Sequence, residues 1–136
     1  MMNLEIRGIV NNNTKQERVV LKVLADCNLK EYLLFDSTYD ENGMISNKQR
    51  HMFVFPDQMV KKGDYVWLHT GCGKEHVHDN TEQTKTYNLY WEMDCSVWNN
   101  DGDTVHLIHY DGYVNKNVKK VCRYDWDVYE SGFCSI

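Results

Sequence analysis

The sequence predicts an all-β protein, a β-sandwich of about eight to nine short strands. Apolar and polar residues alternate with a period close to two along most of the chain, the pattern of strands that bury one face. Clusters of Asn, Asp, Gly and Thr interrupt this alternation roughly every 8–12 residues, as turns do in sandwiches. No window of about 12 residues carries an apolar stripe at helical spacing, so we expect no helix.

The alternation and the turn clusters set the order of the elements. We expect strands at residues 4–10, 17–24, 32–35, 51–55, 65–69, 87–91, 104–110 and 118–129. Pro56 ends the fourth of these strands because proline has no N–H to donate. Polar loops are expected at 36–49 and 74–86, and a sharp turn at 99–103. Asp111-Gly112 predicts a two-residue hairpin connection, since both residue types tolerate positive φ.

The first two strands show which side chains face the core. In the first strand the apolar face would hold Leu4, Ile6, Gly8 and Val10. In the second it would hold Val19, Leu21 and Val23. Alternating positions lie on one side of a strand, so these two sets predict the first layer of a buried core.

Composition limits the class of protein. The chain has 136 residues, 42% of them hydrophobic and 26% charged, a globular composition and the length of one domain, residues 1–136. No apolar run is long enough to span a membrane. The net charge of −5 makes a nucleic-acid partner improbable, because phosphate binding needs a basic surplus. The basic residues Lys116, Lys119, Lys120 and Arg123 are typical of a solvated strand edge.

The first residues and the cysteines predict the compartment. Residues 1–10 enter a strand pattern without the basic and apolar regions of a secretory signal, so we expect a cytoplasmic protein. Five cysteines at irregular spacing, without a C-x-x-C pair, predict free and mostly buried thiols. They are Cys27, Cys72, Cys95, Cys122 and Cys134.

Several segments resemble the lamin tail domain, a family with an immunoglobulin-like β-sandwich. The matching segments are Glu17–Lys22, Phe53–Asp57, Lys62–Val66 and Val97–Leu107 followed by Asp111-Gly112. The last of these is similar to the family's W-N-N-x-G-D-x-V-x-L … D-G pattern almost letter for letter. The resemblance covers roughly residues 3–125 and is strongest over 51–112. It implies an immunoglobulin-like fold in which Trp98 fills the space between two sheets.

The resemblance also implies a function. Lamin tail domains serve mainly as interaction or tethering modules, so we expect a non-catalytic module that contacts another protein or a second copy of itself. Aromatic side chains dominate the energy of such interfaces. The candidates for an interaction surface are Trp67, Tyr90, Trp91 and Trp126.

The alternative is a zinc-binding protein or a small metal-dependent enzyme. Cys72, His76 and His78 lie within seven residues, in the predicted loop that spans 72–79. In an extended segment the two imidazoles would lie on one side, and Cys72 or Asp79 could complete a site of three or four ligands. A calcium loop starting at Asn99 is disfavoured because its twelfth position is Tyr110, where a bidentate Glu is needed.

Motifs for catalysis are missing from the sequence. It contains no G-x-S-x-G, no H-E-x-x-H and no Gly-rich phosphate loop. Cys72 has histidines nearby, but nothing in its surroundings predicts the electropositive pocket that a reactive thiol needs. We therefore expect no enzyme activity and no cofactor. His51, His69 and His106 are expected to be ordinary strand residues, and His109 to be partly buried.

Overall fold

A computed structural model describes residues 2–37, 51–94, 96–98, 103–112 and 114. Within these ranges the chain forms ten strands and one turn of 3₁₀ helix, Leu29–Glu31. The strands are β1 (Leu4–Val10), β2 (Arg18–Val23), β3 (Cys27–Asn28), β4 (Tyr32–Ser37), β5 (Met52–Val54), β6 (Met59–Val60), β7 (Tyr65–His69), β8 (His76–Asp79), β9 (Lys85–Tyr90) and β10 (Thr104–His109). The all-β prediction is confirmed. Residues 99–102 of the turn predicted at 99–103, and the whole strand predicted at 118–129, lie outside the described residues.

The strands form three sheets. A five-stranded sheet has the order β1-β2-β7-β9-β8, a three-stranded sheet has the order β10-β4-β5, and β3 pairs with β6. The pair β7 and β9 is parallel, and the other described pairs are antiparallel. A parallel pair needs a crossover connection, and residues 70–84, which include β8, supply it.

The core draws on both large sheets. Val19, Leu21 and Val23 of β2 are fully buried, as the alternation predicts. They lie in one apolar cluster with residues of β4 and β7, including Leu34 and Leu68. Trp98 belongs to the same cluster and is 3% exposed, so its predicted burial is confirmed. This common core is typical of a β-sandwich.

The prediction for the first strand is wrong beyond Ile6. A β-bulge at Arg7 shifts the register, so that Ile6 lies opposite Leu21 but Gly8 lies opposite Val20. One extra residue exchanges the two faces of a strand. Ile9 therefore packs against the core, and Val10 faces outward.

The predicted loop at 74–86 is also wrong, because it contains β8 and the start of β9. His76–Asp79 pairs antiparallel with Lys85–Asn88. All four residues of β8 are exposed, so this edge strand has no buried face and no apolar alternation to reveal it. Its polar sequence suits the edge of a sheet.

The buried carboxylate of Glu17 holds three segments together. Glu17 is 1% exposed and accepts hydrogen bonds from the backbone N–H of Asn13 at 2.8 Å and of Val97 at 2.9 Å. The Thr70 hydroxyl donates to it at 2.7 Å, and the Trp98 N–H at 3.3 Å. Four donors satisfy the carboxylate, as a charge buried this deeply requires.

Replacing Glu17 by Gln will destabilise the fold strongly. The amide nitrogen of Gln cannot accept hydrogen bonds, so it will face donors that lose their partners inside the core. We expect a loss of about 3 kcal/mol in the free energy of unfolding, in the range for buried unsatisfied groups. Urea denaturation will measure it, with the exposed Glu5→Gln as the matched control. A Glu17→Gln loss no larger than the control's would contradict this role.

Candidate functional site

The outward side of the three-stranded sheet is apolar. Residues 33 and 35 of β4 alternate with the buried Tyr32, Leu34 and Asp36, and so point away from the core. The register places Leu33 between Val54 and Ile108, and Phe35 between Met52 and His106. We call Leu33, Phe35, Met52, Val54 and Ile108 the apolar face.

The apolar face is open to solvent. Val54 is 55% exposed, Met52 43% and Ile108 41%, and Leu33 and Phe35 are half-buried between them. The other described outward residues of this sheet are Ser37, Thr104 and His106, so none of these eight residues is acidic, Lys or Arg. Large contiguous apolar patches are uncommon on the surfaces of monomeric proteins, so this face is the candidate for a binding surface.

His106 forms a polar margin to the apolar face. Its ring stacks on Phe35, with the ring centroids 4.6 Å apart, and its Nε2 lies 2.7 Å from the Ser37 hydroxyl oxygen. His106 is half-buried rather than an ordinary solvated strand residue. His109 faces the other way and packs on Tyr32, as its predicted partial burial requires.

Contacts with Asp36 and Trp91 hold the strand β5 in place. Asp36, fully buried, accepts a hydrogen bond from the backbone N–H of His51 at 2.7 Å and also contacts the His51 ring at 3.2 Å. The indole N–H of Trp91 donates to the Met52 carbonyl oxygen at 3.2 Å. These contacts fix the position of Met52 and Val54 at the edge of the described sheet.

Trp91, a predicted interaction residue, packs against the core. It is half-buried and lies against the apolar core. Its ring meets Phe53 nearly edge-on at 5.9 Å and Trp98 at 6.3 Å. Trp126, another predicted interaction residue, lies outside the described residues.

Trp67 and Tyr90 lie on the outward face of the five-stranded sheet. The Arg18 guanidinium carbon is 4.4 Å from the centre of the Trp67 ring, and the His69 ring stacks on Tyr90 at 4.6 Å. Both predicted interaction residues are therefore half-buried under neighbouring side chains. A shallow groove of about 370 Å³ runs beside Trp67, between Val10, Val20 and the 80–84 turn.

The surroundings of His69 on this face lower its pKa and so favour its neutral form. Burial lowers its pKa, and the nearby positive charge of Arg18 lowers it further. A hydrogen bond to Asn88, with 2.8 Å between Nε2 and Oδ1, opposes the shift. Burial is the largest of these effects, so the folded protein binds a proton at His69 less readily than the unfolded chain.

Acid will therefore destabilise the fold in part through His69. Its pKa in the folded state lies below the ordinary histidine value of 6.5, so its contribution is present above about pH 6.5 and is lost as the pH falls below it. We expect the melting temperature of His69→Gln to fall less than that of the wild type between about pH 7.5 and pH 5. Thermal unfolding across this range will test it. Parallel losses in both proteins would contradict the assignment.

The three candidate metal ligands are all at the surface. Cys72 is an exposed free thiol, contrary to the expected burial, whereas Cys27 is buried and its pKa is raised by burial and by Glu31. His76 and His78 are exposed on β8. The described residues contain no group of three or more His, Cys, Asp or Glu side chains placed to hold one metal ion. Asn99 and Asp101 lie outside them.

The apolar face was missed by the sequence analysis. Its signal is the run Tyr32-Leu33-Leu34-Phe35, in which consecutive residues are apolar. Consecutive apolar residues put apolar side chains on both faces of a strand.

The described residues contain no helix of the length and hydrophobicity needed to cross a bilayer.

Comparisons with known proteins add no assignment. No protein-family model matches the chain, and no characterised protein matches it with significance. The surfaces described above are therefore the basis for the proposed function.

Proposed function

We propose that this chain is a non-catalytic interaction module of the lamin-tail, immunoglobulin-like type, and that it binds another protein through the apolar face. The observation that carries the proposal is the exposure of Met52, Val54 and Ile108 beside one another on a sheet whose other side is already buried. The partner is expected to present a complementary apolar surface to it.

The energetic argument rests on strand β4. Tyr32 and Leu34 bury one side of β4 in the core, and Leu33 and Phe35 are half-buried on its other side. Strands with two apolar sides are usually covered on both. Covering Val54, Met52 and Ile108 would remove further apolar area from water, at about 25 cal/mol for each Å².

Shape and polarity also favour a binding surface. Phe35 is held flat by its stack on His106, and Asp36 fixes the neighbouring strand through His51. A surface held by such contacts loses little conformational entropy on binding. His106, half-buried at its margin and fixed by its contact with the buried Ser37 hydroxyl, can offer a partner a polar contact and so contribute specificity.

The residues shared with the lamin tail pattern have structural roles. Glu17 and Trp98 meet in the core, and Phe55 is 3% exposed. Asp57 accepts a hydrogen bond from the Asn28 side chain at 2.8 Å, and Asp64 accepts bonds from the backbone at Lys61 and Lys85. These roles support the family fold without adding catalytic groups.

The proposal places the module in a reducing compartment such as the cytoplasm. Cys27 and Cys72, the two described cysteines, are free thiols, and free thiols are typical of proteins kept under reducing conditions. The overall acidic charge favours a protein partner over a nucleic acid.

A charge placed on the apolar face will weaken partner binding strongly. We expect Val54→Lys to remove the proteins captured by the wild-type chain, because an apolar contact would have to bury an unpaired ammonium group. Val54 is 55% exposed, so the substitution will leave the fold intact. Quantitative affinity capture, followed by titration of the captured protein in purified form, will measure the loss; we expect at least about a 10-fold rise in Kd.

Leu24→Lys is the matched control. Leu24 is 42% exposed and lies in the turn after β2, away from the apolar face. It should bind like the wild type. The proposal fails if no protein is enriched by the wild type, or if Val54→Lys and Leu24→Lys bind equally well.

A further inference from the structure

Among the described strands, β8 is an open edge of the five-stranded sheet. It is the last strand in the order β1-β2-β7-β9-β8, and β9 is its partner among the described strands. Its four residues, His76 to Asp79, are all exposed. The side of β8 away from β9 has no neighbour among the described strands, so its backbone donors and acceptors can pair with another strand.

Two imidazoles lie on one face of this edge. His76 and His78 are two positions apart in β8 and lie opposite Asn88 and Thr86 of β9. Residues two apart point to the same side of a strand and are about 6.8 Å apart along it. Imidazoles at this spacing can converge on one ion, and nitrogen ligands suit zinc.

The ring of His76 is oriented as in many metal sites. Its Nδ1 lies 3.0 Å from the Lys74 carbonyl oxygen. A carbonyl oxygen can only accept, so Nδ1 carries the proton and the lone pair is on Nε2. Metal-binding histidines commonly donate their second ring N–H to a backbone carbonyl in this way.

The described part of one chain does not complete the site. Zinc takes four ligands in closed sites, and among the described residues no third His, Cys, Asp or Glu joins His76 and His78. A second molecule can supply the remaining two ligands. A second copy of this chain carries the same two histidines on the same open edge.

We propose that β8 of two copies pairs edge to edge and that the four imidazoles of His76 and His78 hold one zinc ion on the twofold axis. Antiparallel pairing centred on Val77 places His76 of one copy opposite His78 of the other. Directly opposite residues lie on the same face, with Cβ atoms about 5 Å apart. Val77, 51% exposed in one chain, meets its counterpart across the axis on the other face.

Zinc titration of the full, untagged chain tests the proposal. In EDTA we expect a monomer by sedimentation velocity. With zinc chloride we expect a dimer, and native mass spectrometry should show two chains with one zinc ion. His76→Ala and His78→Ala should each abolish this zinc-dependent dimer, and both side chains are exposed, so the melting temperatures should stay close to the wild type.

Two control variants separate this site from a site within one chain. Asp79→Asn and Cys72→Ser change the other candidate ligands nearby and should leave the zinc-dependent dimer intact. Loss of zinc binding in either variant would overturn the proposal. So would one zinc ion per monomer, no zinc binding, or a dimer that persists in EDTA. Val54→Lys should dimerise with zinc like the wild type, which distinguishes this site from the apolar face.

Discussion

Four hydrogen-bond donors converge on the carboxylate of Glu17, which lies inside the core. The carboxylate accepts hydrogen bonds from Asn13 in the turn before β2, from Thr70 directly after β7, and from Val97 and Trp98. The last contact matters most for the architecture, because residues 97–98 precede β10, and β10 lies beside β4 in the three-stranded sheet. A buried charge is costly without partners, so the chain can reach this arrangement only when all three segments are in place.

The proposed binding surface follows from the same arrangement. Once β10 and β5 flank β4, their alternation directs Ile108, Val54 and Met52 to the outside of the sheet. The inner residues of these strands fill the core. Within the described structure, the outer apolar residues contact only one another and their neighbours on the same face of the sheet. The two large sheets therefore differ: the five-stranded sheet covers its outer aromatic rings with Arg18 and His69, whereas the three-stranded sheet leaves its apolar residues open.

The sequence predicts the buried strands well and the irregular features poorly. Val19, Leu21 and Val23 alternate because one face of β2 is buried, and the pattern shows this directly. The bulge at Arg7 leaves no such mark, since one added residue changes the register without changing the composition. β8 was missed because an exposed edge strand carries no apolar alternation, and the apolar face because Tyr32 to Phe35 look like one buried run. Three of the four donors to Glu17 come from residues about 50 to 80 positions away, which no local pattern can reveal.

Amide hydrogen–deuterium exchange of the chain alone and in complex with the protein it captures tests the central claim most directly, namely that the apolar face is the binding surface. The account predicts slower exchange on binding in β4, β5 and β10, with no change in β7 and β9. Protection confined to the five-stranded sheet around Trp67 and Tyr90 would contradict this account. The binding surface would then be the aromatic residues that the sequence alone favours.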